Sequence, residues 1–224
     1  MKAFYPKTQR DRYFDILEKA VPAPLLPYRE QLHVAVFERG DYLSHYNVPI
    51  GTLYYLVSGK AKIYMIHDDG KQTLVQFVGD NNYIGELSLL GAEDVPKDVI
   101  ALQQCICIAL PFEQGNPGLL SNPAFLRHLC IFLAQKLLLR TERFSESLNY
   151  PLKNRLAAFI LFTAHERTYT EKHVETAEYL GISYRHLLYA IRRFCDDGIL
   201  IKQKKGHHIA DLHALQVLAK DIKA

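Results

Sequence analysis

Cysteine is scarce. The four thiols, at positions 105, 107, 130 and 195 of 224 residues, are too few and too irregularly spaced for a secreted disulfide framework, and reduced thiols are the default. No apolar run approaches the length that crosses a bilayer, and the opening MKAFYPKTQRDRYF lacks the apolar centre of a signal peptide. These absences predict a cytoplasmic protein with no membrane partner. Convergent acid, base or nucleophile patterns are missing as well. Of ten histidines only His207 and His208 are neighbours, so the β-rich part of the chain holds no set of two histidines and a carboxylate. That argues against a metal-dependent barrel enzyme, and no catalytic residue, metal or cofactor is expected. Charge of one sign is not in large excess either: the net charge is +3, with 49% hydrophobic and 23% charged residues, as in an ordinary globular chain with room for two domains.

The distribution of that charge says more than its sum. From Asn149 onward there are 12 Lys and Arg against 8 Asp and Glu, and before it 15 against 16. The basic excess lies wholly in the C-terminal part, as expected if that part meets nucleic acid.

Within it, the stretch HVETAEYLGISYRHLLYAIRRFCDDGILIKQKKG from His173 to Gly206 carries the most information. Val174, Ala177 and Leu180 fall on one side of a short helix that stops at Gly181. Ser183 is suited to cap a second helix, in which Leu187, Ile191 and Phe194 recur at intervals of four and three. Its other face gathers Tyr184, Arg185, His186, Tyr189, Arg192 and Arg193. Two short helices around a Gly-bearing turn, the second with a basic outer face, are how a helix-turn-helix reads in sequence. The major groove of DNA admits one such helix, so Arg185 could pair with guanine, His186 and the tyrosines could reach bases or phosphates, and Arg192 and Arg193 would lie along the backbone. Two apolar runs then flank Lys202, Lys204, Lys205 and Gly206, a pattern that predicts a β-hairpin wing with phosphate-contacting lysines at its tip. The alternative is a small helical domain with a solvated basic face.

Upstream, residues 1 to 32 are mixed in character and Pro-rich from Pro22 to Pro27, with Phe14, Ile16 and Leu17 able to anchor one short helix. From Leu32 short Val-, Ile-, Tyr- and Leu-rich segments separated by turns predict an all-β barrel or sandwich. Asp68-Asp69-Gly70 marks a hairpin, and Leu53, Tyr55, Val57 and Ala61, Ile63, Met65 fit alternation across a sheet. From Ser121 the period changes. Asn122-Pro123 begins a helix of about 25 residues, in which Leu126, Cys130, Leu133, Leu137 and Phe144 form a seam. A second copy of the chain would cover that seam; packing on the β domain is the other possibility. Arg140 either fixes its alignment or faces out. Asn149-Tyr150-Pro151 reads as a hinge, LKNRLAAFILFT from Leu152 as a packed helix, and the end as a helix capped by Asp211. The domains are thus expected at 1–121, 122–149 and 150–224, in an α+β fold.

FERGDYL, LYYLVSGKAKIY, DDGK, YIGELSLL and LGISYRHLLYAIRRFCDDGILI, in that order and spacing, resemble the cyclic-AMP receptor protein and fumarate-nitrate regulator (CRP/FNR) transcription factors over about Val36 to Ile209. The resemblance implies a jelly-roll sensory barrel of the cyclic-nucleotide-binding type, a dimerisation helix, and a C-terminal winged helix-turn-helix that reads a palindromic double-stranded site, with RNA polymerase as a further partner. It places base and phosphate reading on Ser183, Tyr184, Arg185, His186 and Tyr189. Relatives often carry a glutamate where Arg185 stands, so the half-site should differ.

The resemblance also frames the effector. Relatives that bind cyclic nucleotides follow Gly-Glu-Leu with an Arg-Ser or Arg-Thr pair that holds the phosphate, whose charge must be paired once it leaves water. Here Gly85, Glu86 and Leu87 are followed by GAEDVPKD, with Lys97 the one nearby cation and Glu93, Asp94 and Asp98 around it. Cyclic AMP is therefore not expected, and any effector pocket built from Gly85, Glu86, Leu87 and Lys97 takes an unknown signal. Relatives with an oxygen-sensing iron-sulfur cluster gather cysteines near the N-terminus, where this chain has none. Cys105, Cys107 and Cys130 leave a thiol-responsive alternative, against the simpler reading of small buried hydrophobes. A regulator that binds DNA without any effector is the other alternative. Cys195 reads as a packing residue.

Overall fold

The computed structural model describes residues 20–67, 69–112, 117–220 and 222. The expected helix around Phe14, Ile16 and Leu17 lies outside them. By their contacts the residues divide into two compact units, Met1–Phe132 and Leu133–Ala224, and the division falls inside one long helix.

In the first unit the Pro-rich stretch forms a 3-10 helix, Ala23–Tyr28, that buries Leu25. Eight strands follow: β1 (His33–Phe37), β2 (Tyr42–Ser44), β3 (Thr52–Ser58), β4 (Ala61–Ile66), β5 (Gln72–Val78), β6 (Asn82–Ile84), β7 (Asp98–Ala101) and β8 (Cys105–Pro111). They form two antiparallel four-stranded sheets, β1-β8-β3-β6 and β2-β7-β4-β5. First pairs with last inward to the β4–β5 hairpin, which is the jelly-roll arrangement. Both sheets contribute to one core, where small side chains (Ala35, Ala61, Ala101, Ala109, Cys105, Cys107) sit among Phe37, Leu43, Leu56, Val78, Ile84 and Val99. Leu53 and Leu56, an odd number of residues apart and so on opposite faces of β3, are both buried, and the pairing with β8 slips only beyond them, between Leu56 and Ser58. Val57 packs with Val34, Val36 and Ile106 in a second cluster, so β3 is covered on both faces. A short helix α1 (Glu86–Leu89) follows β6 and leads to the β6–β7 loop.

After helix α2 (Pro117–Leu120) comes α3 (Pro123–Asn149), begun by Asn122, whose Oδ1 accepts from the backbone N–H groups of Ala124 and Phe125. Phe125 and Leu129 are buried, and Tyr83 of β6 holds the same side of the helix through its ring contact with Phe132 and a 3.0 Å hydrogen bond with His128.

The second unit holds α4 (Leu152–Thr163), β9 (Thr168–Tyr169), α5 (His173–Leu180), α6 (Tyr184–Asp196), β10 (Leu200–Lys202), β11 (His207–Ile209) and α7 (Leu212–Ala219). Pro151 precedes α4, which packs on α7, with Asn154 donating to the Leu218 carbonyl at 2.9 Å. The Asp211 cap is present: its Oδ1 accepts from the Ala214 N–H. The hairpin β10–β11 is joined by β9, a third strand the sequence did not reveal, in the order β10-β11-β9.

Gly206 at the hairpin tip has φ +81°, and a Cβ there would meet the Tyr169 carbonyl oxygen of the neighbouring segment. Gly206→Ala is expected to destabilise the second unit by about 1–3 kcal/mol, read in denaturant melts against an unchanged barrel transition.

Candidate nucleic-acid interface

The two helices α5 and α6 meet at Gly181, whose φ of +64° lets the Ile182 N–H return to the Ala177 carbonyl at 3.0 Å. This closes α5 with the contact typical of a left-handed cap. Arg155 of α4 adds a hydrogen bond from its guanidinium to the Leu180 carbonyl at 2.8 Å, pinning the turn from behind. Of the three residues expected to be buried on α5, Ala177 and Leu180 are, while Val174 is 57% exposed. Thr176 takes the inner position instead, because its hydroxyl bonds the buried Tyr169.

Helix α6 starts at Ser183, whose Oγ accepts from the His186 N–H at 3.3 Å. Leu187, Ala190, Ile191 and Phe194 are buried along one side. Each large apolar member contributes roughly 1.5–3 kcal/mol to holding the helix down. The opposite side carries Tyr184, Arg185, His186, Tyr189, Arg192 and Arg193, all exposed, as is Ser183. Lys202 at the end of β10 and Lys204 and Lys205 in the turn to β11 are exposed as well. None of these six Arg and Lys residues forms a salt bridge among the described residues. Cationic and aromatic side chains thus stand exposed on a fixed helix, and three further lysines stand exposed on the hairpin whose first strand neighbours it. Such a surface is chemically suited to phosphates and base edges.

In the barrel, Gly85 begins α1 at φ +89°, where a Cβ would lie 2.7 Å from the Thr52 carbonyl oxygen. Glu86 is buried and Leu87 half-buried. Lys97 is already engaged. Its Nζ donates to Glu93 Oε2 at 2.7 Å, and Ser88 Oγ donates to Glu93 Oε1 at 2.7 Å, so one carboxylate joins α1 to the approach of β7. Asp98, also buried, accepts from the Tyr46 N–H at 2.7 Å, and Ser44 Oγ donates to the Lys97 carbonyl. The loop is a closed polar network in which acids and cation satisfy each other. The sequence placed Glu93 and Lys97 near one another; the part of Ser88 was not legible, because its reach to Glu93 depends on how the loop folds back.

The profile of the cyclic nucleotide-binding domain matches residues 34–116. The regulatory protein YeiL of Escherichia coli O157:H7 is 40% identical over 182 residues, covering 81% of this chain and 83% of its own length. The transcriptional activator protein Anr of Pseudomonas aeruginosa is 25% identical, covering 81% of this chain and 78% of its own. Among solved structures, a CRP/FNR-family transcriptional regulator from Thermus thermophilus matches with TM-score 0.69 at 22% identity, over 85% of this chain and all of that one. The chain belongs to the CRP/FNR family of transcriptional regulators.

For a CRP/FNR chain the fate of its long helix matters next. Of the expected seam, Cys130, Leu137 and Phe144 are exposed, whereas Leu126 and Leu133 are half-buried. The exposed stripe runs Cys130, Ala134, Leu137, Thr141, Phe144 and Leu148, at alternating intervals of four and three, flanked by Ile131 and Leu138. Ala134, Thr141 and Leu148 were missed, although the heptad spacing contained them. The helix therefore has two apolar stripes: Phe125 and Leu129 buried, and this one open. Arg140 is exposed.

Cys105 and Cys107 point into the barrel core, and burial pushes the Cys105 thiol up to about 11 and that of Cys107 well above its ordinary value. Cys130 is exposed, and no group of three metal-binding side chains occurs among the described residues. High pKa and burial make the two core thiols poor nucleophiles. No described helix is long and apolar enough to cross a membrane.

Removing Lys97 leaves the Glu93 carboxylate, only 12% exposed, with Ser88 alone. Lys97→Met is expected to destabilise the barrel by about 1–3 kcal/mol in urea melts, and Glu93→Gln with Lys97→Met together by less than the sum.

Proposed function

We propose that this regulator is a homodimer that binds a palindromic site in double-stranded DNA through Ser183, Tyr184, Arg185, His186, Tyr189, Arg192 and Arg193 of the recognition helix and its cap, with Lys202, Lys204 and Lys205 of the wing on flanking phosphates. The observation that carries the reading is the division of α6: its apolar side is wholly buried and its cationic side is open, on the second helix of a helix-turn-helix. The domain division runs as barrel 1–121, dimer helix 122–149 and winged domain 150–224. The dimer forms along the open stripe of α3, where Leu137, Phe144 and Leu148 are 66%, 66% and 71% exposed. A continuous apolar stripe of that kind needs a partner surface, and a second copy supplies an identical one.

The barrel is the proposed sensor. In the dimer two recognition helices must lie about 34 Å apart to enter successive major grooves, and a signal in the barrel shifts the balance between arrangements that do and do not achieve this. The signal is not a cyclic phosphate held at Gly85, Glu86, Leu87 and Lys97, since Glu93 already neutralises Lys97. The same closed network favours a second reading, a regulator that binds DNA with no effector at all. Bound DNA then presents the factor to RNA polymerase.

Arg185→Ala is expected to weaken binding to the specific site by about 1–3 kcal/mol, with little change on random DNA. Anisotropy titrations check this, and equal losses on both DNAs would remove Arg185 from base reading. Protein stripped of small molecules separates the two readings of the barrel: tight binding by it supports the effector-independent one.

A further inference from the structure

Behind the wing lies a group of titratable side chains, of which the proposed DNA contacts use Lys202 alone. Lys202 pairs with His207 across β10–β11, and His207 pairs with Tyr169 across β11–β9. Directly paired residues share a sheet face, so Lys202, His207 and Tyr169 form a row on one side of the three-stranded sheet. The His173 ring, from the first residue of α5, stacks on that row. It lies 5.7 Å from His207 at 30° and 6.5 Å from Tyr169 at 12°. Tyr169 is buried. Its O–H donates to Thr176 Oγ1 at 2.6 Å, and the Thr176 hydroxyl in turn donates to the Lys172 carbonyl, tying the sheet to α5.

His207 is 7% exposed, and its Nδ1 is buried with no hydrogen-bond partner. The charged and titratable groups around the pair come from three elements and their approaches. Lys202 faces it from β10. Tyr169 faces it from β9, with Glu171 and Glu175 acting on the Tyr169 hydroxyl, and Glu175 is engaged by Lys172 at 3.3 Å. Neither imidazole is paired with a carboxylate among the described residues. A proton on either ring therefore meets Lys202 or the other ring, while Glu171 and Glu175 act on Tyr169 rather than on the imidazoles.

We propose that His173 and His207 form an acid-sensitive latch, stacked and seating the wing on α5 when neutral, repelling each other and Lys202 and releasing the wing when protonated. The direction agrees with the environment: burial, with the neighbouring charges second, lowers the pKa of both imidazoles below the ordinary value. A released wing takes up protons at about 6.5, the value of a free imidazole. The folded-state value being depressed, seating is at full strength above that pH. It weakens as pH falls below it, because the open form then binds more protons than the closed one. The consequence for DNA rests on the wing's proposed phosphate contacts: a released wing no longer holds its lysines against the flanking phosphates.

The test is amide hydrogen exchange on the full-length protein without DNA, between pH 7.5 and 5.5, corrected for intrinsic exchange. Residues 199–210 should open up to roughly tenfold more often per excluded proton at pH 5.5, with barrel strands as the internal reference. His207→Phe and His173→Phe should each flatten that dependence, their folding checked by protection of the barrel and of α6 at pH 7.5. A wild-type wing with no pH dependence overturns the latch. So does the same slope in both variants, or a His207 that titrates in NMR at or above the free-imidazole value. If the wing opens with acid while DNA affinity does not fall, the latch stands and the wing's part in DNA binding falls.

Discussion

The outward display of α6 depends on the burial of Leu187, Ala190, Ile191 and Phe194 beneath it. Arginines and tyrosines on an isolated 13-residue helix would neither stay helical nor point in one direction. Fixed by that stripe, begun by Ser183 and backed by the Arg155 bond to Leu180, the helix has one orientation, and its cations have nowhere to go but out. The hairpin, the third strand β9 and the stacked rings of Tyr169, His173 and His207 extend the same constraint to the wing.

In the barrel, the turn after β6 is held by backbone geometry and by the protein's own polar groups. Gly85 keeps a backbone that only glycine accepts without strain, as the close approach of Thr52 requires. Around it, however, the polar groups serve the protein itself. Glu93 holds Ser88 and Lys97, and Asp98 holds the backbone of Tyr46. Lys97, the one cation among these side chains, is thus already paired. The core thiols are buried among alanines.

Helix α3 answers two demands at once. Its early turns bury Phe125 and Leu129 and lean on Tyr83, while the stripe from Cys130 to Leu148 stays open. A single seam drawn through Leu126 and Leu133 mixes these two faces. In sequence both stripes show the same helical period, and contact with β6 separates the buried one from the exposed one.

What the sequence determined by itself was local. Caps at Ser183, Asn122 and Asp211, the left-handed turn at Gly181, the period of α6 and the short β segments are each set by neighbours a few residues away, where steric and hydrogen-bonding rules act directly. Fold class and the basic outer face followed from those. The tertiary structure decided what depends on distant partners: that Thr176 rather than Val174 is buried because Tyr169 bonds it, that β3 is covered on both faces, that Glu93 joins Ser88 to Lys97, and that β9 completes the wing and places His207 against His173. Pairings of this kind join segments whose separation along the chain carries no period or motif, so their energies are fixed only when the chain closes on itself.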